Sequence, residues 1–270
     1  SEGRYTQDFH VLAADAAAAM ARAKVMAGLR GSQFGYQGGS QAGWVIPLAV
    51  QESGADFSIV AFGLAEGPLA EDREQVMSEL RAKGYGPDTL AKAREVTDVT
   101  GRIMASNFRE GFDELAAIKA RYGVTPWFAQ IEGEFTGDFL RNPPWLLQLI
   151  GPWFGVGTTW THDPVPVLKT NTQPSLWLLA GKDREAPSEN TVRILRELQT
   201  SQPHLDVIVF PNADHGLVDV VEEKGELRDT NFSPGYFETM AAWIKTQRLD
   251  APAPGAAKYE GGAGEPSPLP

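Results

Sequence analysis

The 270-residue chain contains no cysteine. This excludes a disulfide framework, a thiol nucleophile, cysteine-ligated zinc and iron–sulfur clusters. Histidine is scarce as well. His10, His162, His204 and His215 are the four present, and none falls in a His-Glu-x-x-His spacing. A His-based metal site is therefore not expected, and no cofactor is implied. Basic residues are outnumbered, 24 Lys and Arg against 35 Asp and Glu, for a net charge of −11. That balance disfavours nucleic acid and anionic membrane surfaces as partners, since both select a basic face. Uninterrupted apolar runs are also missing. The most apolar stretch, 145–160, carries Gln148, Pro152 and three glycines, so no membrane span is expected. What remains is 42% hydrophobic and 22% charged, enough apolar surface for a sizeable core.

Organisation follows from periodicity. Phe9, Leu12, Ala16, Met20, Val25 and Leu29 recur at helical spacing over 8–29. Residues 33–37 (Gln-Phe-Gly-Tyr-Gln) and 57–62 (Phe-Ser-Ile-Val-Ala-Phe) read as short buried strands, with an apolar helix over 44–50 between them. From 67 to 160 the pattern becomes helical throughout, over 71–83, 88–104, 107–122 and 135–150. Gly86-Pro87, Thr125-Pro126 and Pro143-Pro144 punctuate it. Strand and helix then alternate again: 175–180, a helix that Ser188 is placed to cap, 206–210, and a final helix over 237–247. Such alternation predicts a parallel sheet covered on both faces. The expected divisions are 1–66, a helical insertion over 67–160, a return to the sheet over 161–249, and a Pro/Gly/Ala-rich tail over 250–270.

One turn carries a chemical signature. Gly38-Gly39-Ser40-Gln41-Ala42 lies between a strand and a helix and fits small-x-Ser-x-small. A serine there sits in a strained, sharp turn that lifts its hydroxyl above the sheet, and small residues two positions to either side let strand and helix approach. The helix start offers the backbone N–H of Gln41 to a developing oxyanion. Ala42 stands where glycine is usual, the smallest departure available. Asp183 follows the strand 175–180 through Gly181-Lys182, and His215 follows the strand 206–210. Sites of open parallel sheets lie at strand carboxyl ends, which places Asp183 to orient an imidazole and His215 to act as general base. Asp214 is expected to point elsewhere and Asp206 to be structural.

The order Ser, Asp, His, each after a strand, resembles the α/β-hydrolase superfamily, in its branch of serine esterases and prolyl-oligopeptidase-like peptidases. The resemblance rests on 32–50 (elbow), 163–188 (acid strand and loop) and 207–217 (histidine strand and loop). It implies an α/β-hydrolase parallel sheet with 67–160 as a helical cap, and a serine hydrolase acting on a small-molecule carboxylic ester through an acyl-enzyme. An aminopeptidase, acyl-peptidase or thioesterase of the same fold is the alternative, with Glu132 and Glu134 as candidate binders of a peptide amino terminus. A non-catalytic ligand-binding or assembly subunit is the alternative of another class. Family members also have strands ahead of the nucleophile strand. The resemblance therefore implies a companion N-terminal chain or removed segment that completes the sheet and supplies the second oxyanion donor. The Ser start agrees with this expectation. Aromatic residues of the insertion, Trp127, Trp153, Phe154 and Trp160, together with His162, are candidate pocket walls, although core is the commoner fate of any one of them.

Overall fold

The computed structural model describes residues 7–28, 31, 33–153, 157–223, 226–249 and 257–259. They group into two compact units, one of 1–8 with 67–162 and one of 9–66 with 163–270.

The second unit holds a five-stranded sheet. Its strands are β1 (Gly35–Gly39), β2 (Phe57–Ala61), β3 (Ser175–Ala180), β4 (Leu205–Phe210) and a short strand in the tail, β8 (Ala257–Tyr259). They lie in that order across the sheet. The first four are parallel, and β8 runs antiparallel to β4, pairing Val207 with Tyr259 and Val209 with Ala257. Part of the tail read from composition as a linker thus extends the sheet.

Alternation along each strand decides which face each residue serves. Ile59, Ala61, Leu176, Leu178, Ile208 and Phe210 share one cluster with Tyr236 and Trp243 of α10 (Tyr236–Thr246). Val60, Trp177, Leu179, Val207 and Val209 share the other. They meet Ile46 and Val50 of α2 (Ala42–Ser53), Leu168 of α8 (Pro164–Thr170), and Leu195 and Leu198 of α9 (Glu189–Gln199). Both faces of the sheet are covered, as the apolar strand runs require. Helix α1 (Phe9–Ala27) packs on α2, with the Phe9 and Trp44 rings stacked at 5.1 Å. Two polar residues are fixed by this packing. Asp206 accepts from the Trp243 indole at 2.8 Å, the structural role expected of it. Asp163 caps α8 through the Val165 N–H at 3.1 Å.

Ser188 differs from expectation. It occupies the N-cap position of α9 but makes no side-chain cap. Its hydroxyl donates instead to the Ala180 carbonyl at 2.6 Å, satisfying a backbone acceptor at the end of β3. A second sheet was not foreseen: β5 (Ala213–Asp214), β6 (Val218–Glu223) and β7 (Glu226–Phe232), all antiparallel.

The first unit is helical among its described residues. It holds α3 (Pro68–Ala82), α4 (Pro87–Ala105), α5 (Phe112–Tyr122), α6 (Thr136–Arg141) and α7 (Pro144–Ile150). Proline opens α3, α4 and α7, where its missing N–H costs nothing. The stretch 135–150, read as one helix, is two, because Pro143-Pro144 cannot continue α6. The core of this unit includes Val76, Leu80, Val96, Ile103, Leu115, Trp127 and Phe135. Buried Asp72 organises its second half. Its carboxylate accepts from the Phe135 and Thr136 N–H groups at 2.9 and 3.0 Å and from the Thr136 hydroxyl at 2.6 Å. Burial raises the Asp72 carboxyl above the usual aspartate range, and these donors pull it back in part.

Candidate active site

Strand β1 ends at Gly39, and α2 begins at Ala42, leaving Ser40 and Gln41 to make the whole turn. Ser40 adopts φ 54°, a left-handed conformation that strains any residue with a Cβ. It is held there by two backbone bonds, Ser40 N–H to Ala61 O at 3.0 Å and Gly43 N–H to Ser40 O at 2.9 Å. The small residues around it have steric causes. A Cβ on Gly38 would lie 2.7 Å from the Ala42 methyl, and one on Gly43 would lie 2.8 Å from the backbone N and O of Leu64. Gly38 and Ala42 are thus the pair that sets how closely strand and helix approach. Gln41 sits in αR conformation at the N-cap, so its N–H belongs to the first-turn donors that have no partner inside the helix.

Asp183 and His215 are brought together by a ladder that runs past the strands. Beyond β3 and β4, Gly181 N–H donates to Phe210 O at 2.9 Å and Lys182 N–H to Ala213 O at 2.8 Å. Gly181 permits this approach, because a Cβ there would lie 2.9 Å from the Pro211 Cα. Asp214 then clamps the two loops. Its Oδ1 accepts from the N–H of Arg184 at 2.9 Å and of His215 at 2.8 Å, while Oδ2 pairs with the Arg184 guanidinium. Its oxygens are taken up by Arg184 and the His215 backbone N–H, and the loop-to-loop clamp is a role that spacing alone did not suggest.

The imidazole Nδ1 of His215 lies 3.2 Å from Asp183 Oδ1 and 3.1 Å from Oδ2. The Asp183 side chain is 1% exposed and that of His215 18%. Asp183 is itself held, since Oδ1 accepts from the N–H groups of Glu185 at 3.2 Å and Ala186 at 2.7 Å. On the other side of the ring, Glu185 Oε1 stands 3.7 Å from Nε2.

Phe62 joins the histidine to the elbow. It follows β2 with φ 41°, and its N–H donates to Leu178 O at 2.7 Å. Its ring meets the imidazole edge-on at 4.9 Å between centroids. The same ring fills the space above Gly39, where a Cβ would approach to 2.2 Å. The residue before Ser40 and the imidazole of His215 therefore both lie beside one phenyl ring. Neither Phe62 nor Glu185 was singled out from sequence. The signal for Phe62 was its position one residue past a strand end, level with the serine.

Ser40, Phe62, Asp183 and His215 thus follow the carboxyl ends of β1, β2, β3 and β4 in turn. The opposite, amino ends carry a cavity of about 250 Å³, lined by Val60, Trp177, Leu195, Leu198, Ser58 and Ser175 among others. It shares no residue with the elbow or the histidine loop.

The candidate pocket residues of the insertion lie in the helical unit. Trp127 is in its core, between Tyr122 and Phe128. Trp160 packs edge-on against Phe135 and lines a cavity of about 370 Å³ with Met104, Asn107 and Thr158. Trp153 is 82% exposed. His162 is half-buried and its N–H donates to Thr159 O at 2.9 Å. Phe154 lies outside the described residues. Glu132 pairs with Arg141 at 3.0 Å. Among the described residues no cluster of His, Cys, Asp and Glu is arranged to hold a metal ion. No described helix is long and apolar enough to cross a membrane.

No protein-family model matches the chain, and no curated protein matches it. Solved structures do. A thermophilic esterase from Thermogutta terrifontis is similar over 92% of this chain and 76% of its own, with 16% identity and a TM-score of 0.43. A putative non-heme bromoperoxidase from Mycobacterium tuberculosis is similar over 92% and 77%, at 12% identity and 0.41. A putative aryl esterase from Burkholderia cenocepacia is similar over 90% and 70%, at 12% identity and 0.37. At the level of fold, the resemblance drawn from the sequence is met in the structure itself: a parallel α/β sheet, a serine on a strained strand-to-helix turn, and aspartate and histidine loops following later strands in that order.

Proposed function

We propose that the chain is a serine hydrolase that cleaves a carboxylic ester through an acyl-enzyme on Ser40. One observation supports this above the others. A nearly fully buried carboxylate holds Nδ1 of a partly exposed imidazole, and a single phenyl ring joins that imidazole to a strained serine elbow.

In this reading Asp183 fixes the tautomer with the proton on Nδ1, leaving Nε2 as base. Nε2 takes the Ser40 proton as Oγ bonds to the ester carbonyl carbon. The negative charge that develops on the carbonyl oxygen meets the Gln41 N–H, with a second donor from a companion chain. The C–O bond to the alcohol then breaks, and Nε2–H protonates the departing oxygen. Water, deprotonated by Nε2, attacks the acyl-enzyme, and the acid leaves as Ser40 recovers its proton. Phe62 keeps water from one edge of the imidazole and limits its rotation. Losing one oxyanion donor costs about 10²–10³ in rate, so the assembly with its companion is the form to assay.

A fluorophosphonate probe followed by peptide mapping tests the reading directly. Labelling at Ser40, abolished in Ser40→Ala with unfolding behaviour retained, is the expected result. Absence of label at Ser40 in the assembled protein defeats it.

A further inference from the structure

We infer that Glu185 makes the leaving-group side of this site selective for alcohols that carry a positive charge, so that the substrates are esters of amino alcohols. The inference deepens the serine-hydrolase reading and rests on it.

Both oxygens of Asp183 lie against Nδ1, so every proton exchanged with Ser40 and with the leaving group passes through Nε2. The departing oxygen must come within hydrogen-bond reach of that atom. Glu185 Oε1 lies 3.7 Å from the same nitrogen, beside it but too far to hydrogen-bond to it. Atoms next to the departing oxygen are thus the nearest substrate neighbours of the carboxylate. An ammonium two carbons along the alcohol lies within one side-chain rotation of it.

The carboxylate is available. Its side chain is 59% exposed, and among the described residues no Lys or Arg stands within ion-pair distance of it. Arg184, its neighbour in sequence, is committed elsewhere. The guanidinium pairs with Asp214 and reaches Asp229 at 3.4 Å. The backbone of Glu185 is also held from within, because its N–H is bonded to Asp183 Oδ1 at 3.2 Å. The acid loop therefore presents one carboxylate to Nδ1, buried and structural, and a second to the space at Nε2, solvated and without a Lys or Arg partner among the described residues. At this exposure the attraction is screened by water and salt, and a few-fold preference is the expected scale.

The test uses two phosphorothiolate probes that leave the same phosphoryl group on Ser40. One releases a trimethylammonioethyl thiol and the other its neutral 3,3-dimethylbutyl isostere. In both, the Ser40 oxygen–phosphorus bond forms, the phosphorus–sulfur bond breaks, and the thiolate takes the proton from Nε2. The second-order labelling rate of the assembled protein is expected to favour the cationic probe by about two- to fivefold at low salt. The preference falls towards unity in 0.5 M salt. Glu185→Gln brings the ratio to about one, and Glu185→Lys takes it below one, with circular dichroism and melting temperature confirming that each variant is folded. A ratio that Glu185→Gln and Glu185→Lys leave unchanged overturns the assignment to Glu185 while the serine hydrolase stands. Failure of both probes to label Ser40 removes the hydrolase reading and this inference with it.

Discussion

Asp183→Asn separates the chemistry of the imidazole from its position. The two oxygens of Asp183 have different duties. Oδ1, 3.2 Å from the imidazole, also accepts the N–H of Ala186 at 2.7 Å and of Glu185 at 3.2 Å, whereas among the described residues Oδ2 meets the imidazole alone, at 3.1 Å. Asparagine has a single oxygen. Placing it at the Oδ1 position preserves both loop hydrogen bonds, and the amide nitrogen then falls where Oδ2 was. A donor now takes the shorter of the two contacts to Nδ1, and the oxygen left 3.2 Å from it is already shared by two backbone donors, so the ring proton is driven towards Nε2 and the base that Ser40 needs is depleted. The reverse orientation leaves two backbone donors facing an NH₂ group in a site that is 1% exposed, and is disfavoured by roughly 1–3 kcal/mol. A wrong tautomer of this kind lowers turnover by about 10⁴, or roughly 5.5 kcal/mol of transition-state stabilisation. Stability should fall by no more than about 1 kcal/mol, since size and loop contacts are kept, which moves the melting temperature by roughly 2–4 °C. The assay pairs the rate of fluorophosphonate labelling at Ser40 with thermal unfolding. An Asp183→Asn protein that melts like wild type and labels within tenfold of its rate would refute the tautomer argument.

Other perturbations probe the scaffold. Gly43→Ala puts a methyl 2.8 Å from backbone atoms of Leu64 that cannot rotate away; overpacking of this kind costs about 1–3 kcal/mol, read as a lowered urea midpoint at unchanged slope. Ser40→Gly removes the side chain from a left-handed residue and should raise the melting temperature while abolishing labelling, a stabilisation of about 1 kcal/mol. Asp72→Ala strips three donors of their acceptor and should lower stability by roughly 3 kcal/mol in chemical denaturation. The Asp72 carboxyl is raised in the folded protein, so the folded form holds the proton more tightly than the unfolded chain. Its favourable contribution is complete below the ordinary aspartate value of 3.8 and is lost as pH rises through the raised one. The stability difference between wild type and Asp72→Asn should therefore shrink with increasing pH; a difference that grows would contradict this sign.

The sheet and the elbow were legible because each rested on a strong local signal. Apolar runs such as Ser-Leu-Trp-Leu-Leu-Ala have no alternative to a strand buried on both faces, and Gly38, Gly39 and Ala42 mark a turn that larger residues would block. Gly86-Pro87 located the start of α4. The hairpin β6–β7 escaped notice for the opposite reason. Its strands mix valine and leucine with Asp, Glu and Arg, and Val221, Leu227 and Phe232 remain exposed, so their composition is that of a loop. Ser188 shows another boundary: it stands where a capping serine should, yet a nearby carbonyl competes for its hydroxyl. Phe62 and Glu185 were beyond reach because their roles depend on contacts across loops. Trp127 and Trp153 look alike as letters and differ completely in burial.

The pairing register has a further consequence. Gly39 is level with Ala61, and Ala180 is level with Phe210, so the first residues beyond β1 and β2, Ser40 and Phe62, emerge on the same rung and share the same left-handed twist. The ladder works as a ruler for the reacting groups. A slip of one residue in a strand would shift its terminal group by about 3.3 Å and send its side chains to the wrong face. Reactivity in this protein should accordingly be a sensitive gauge of strand alignment, failing abruptly rather than by degrees when any of the three ladders that join β1 to β4 misaligns.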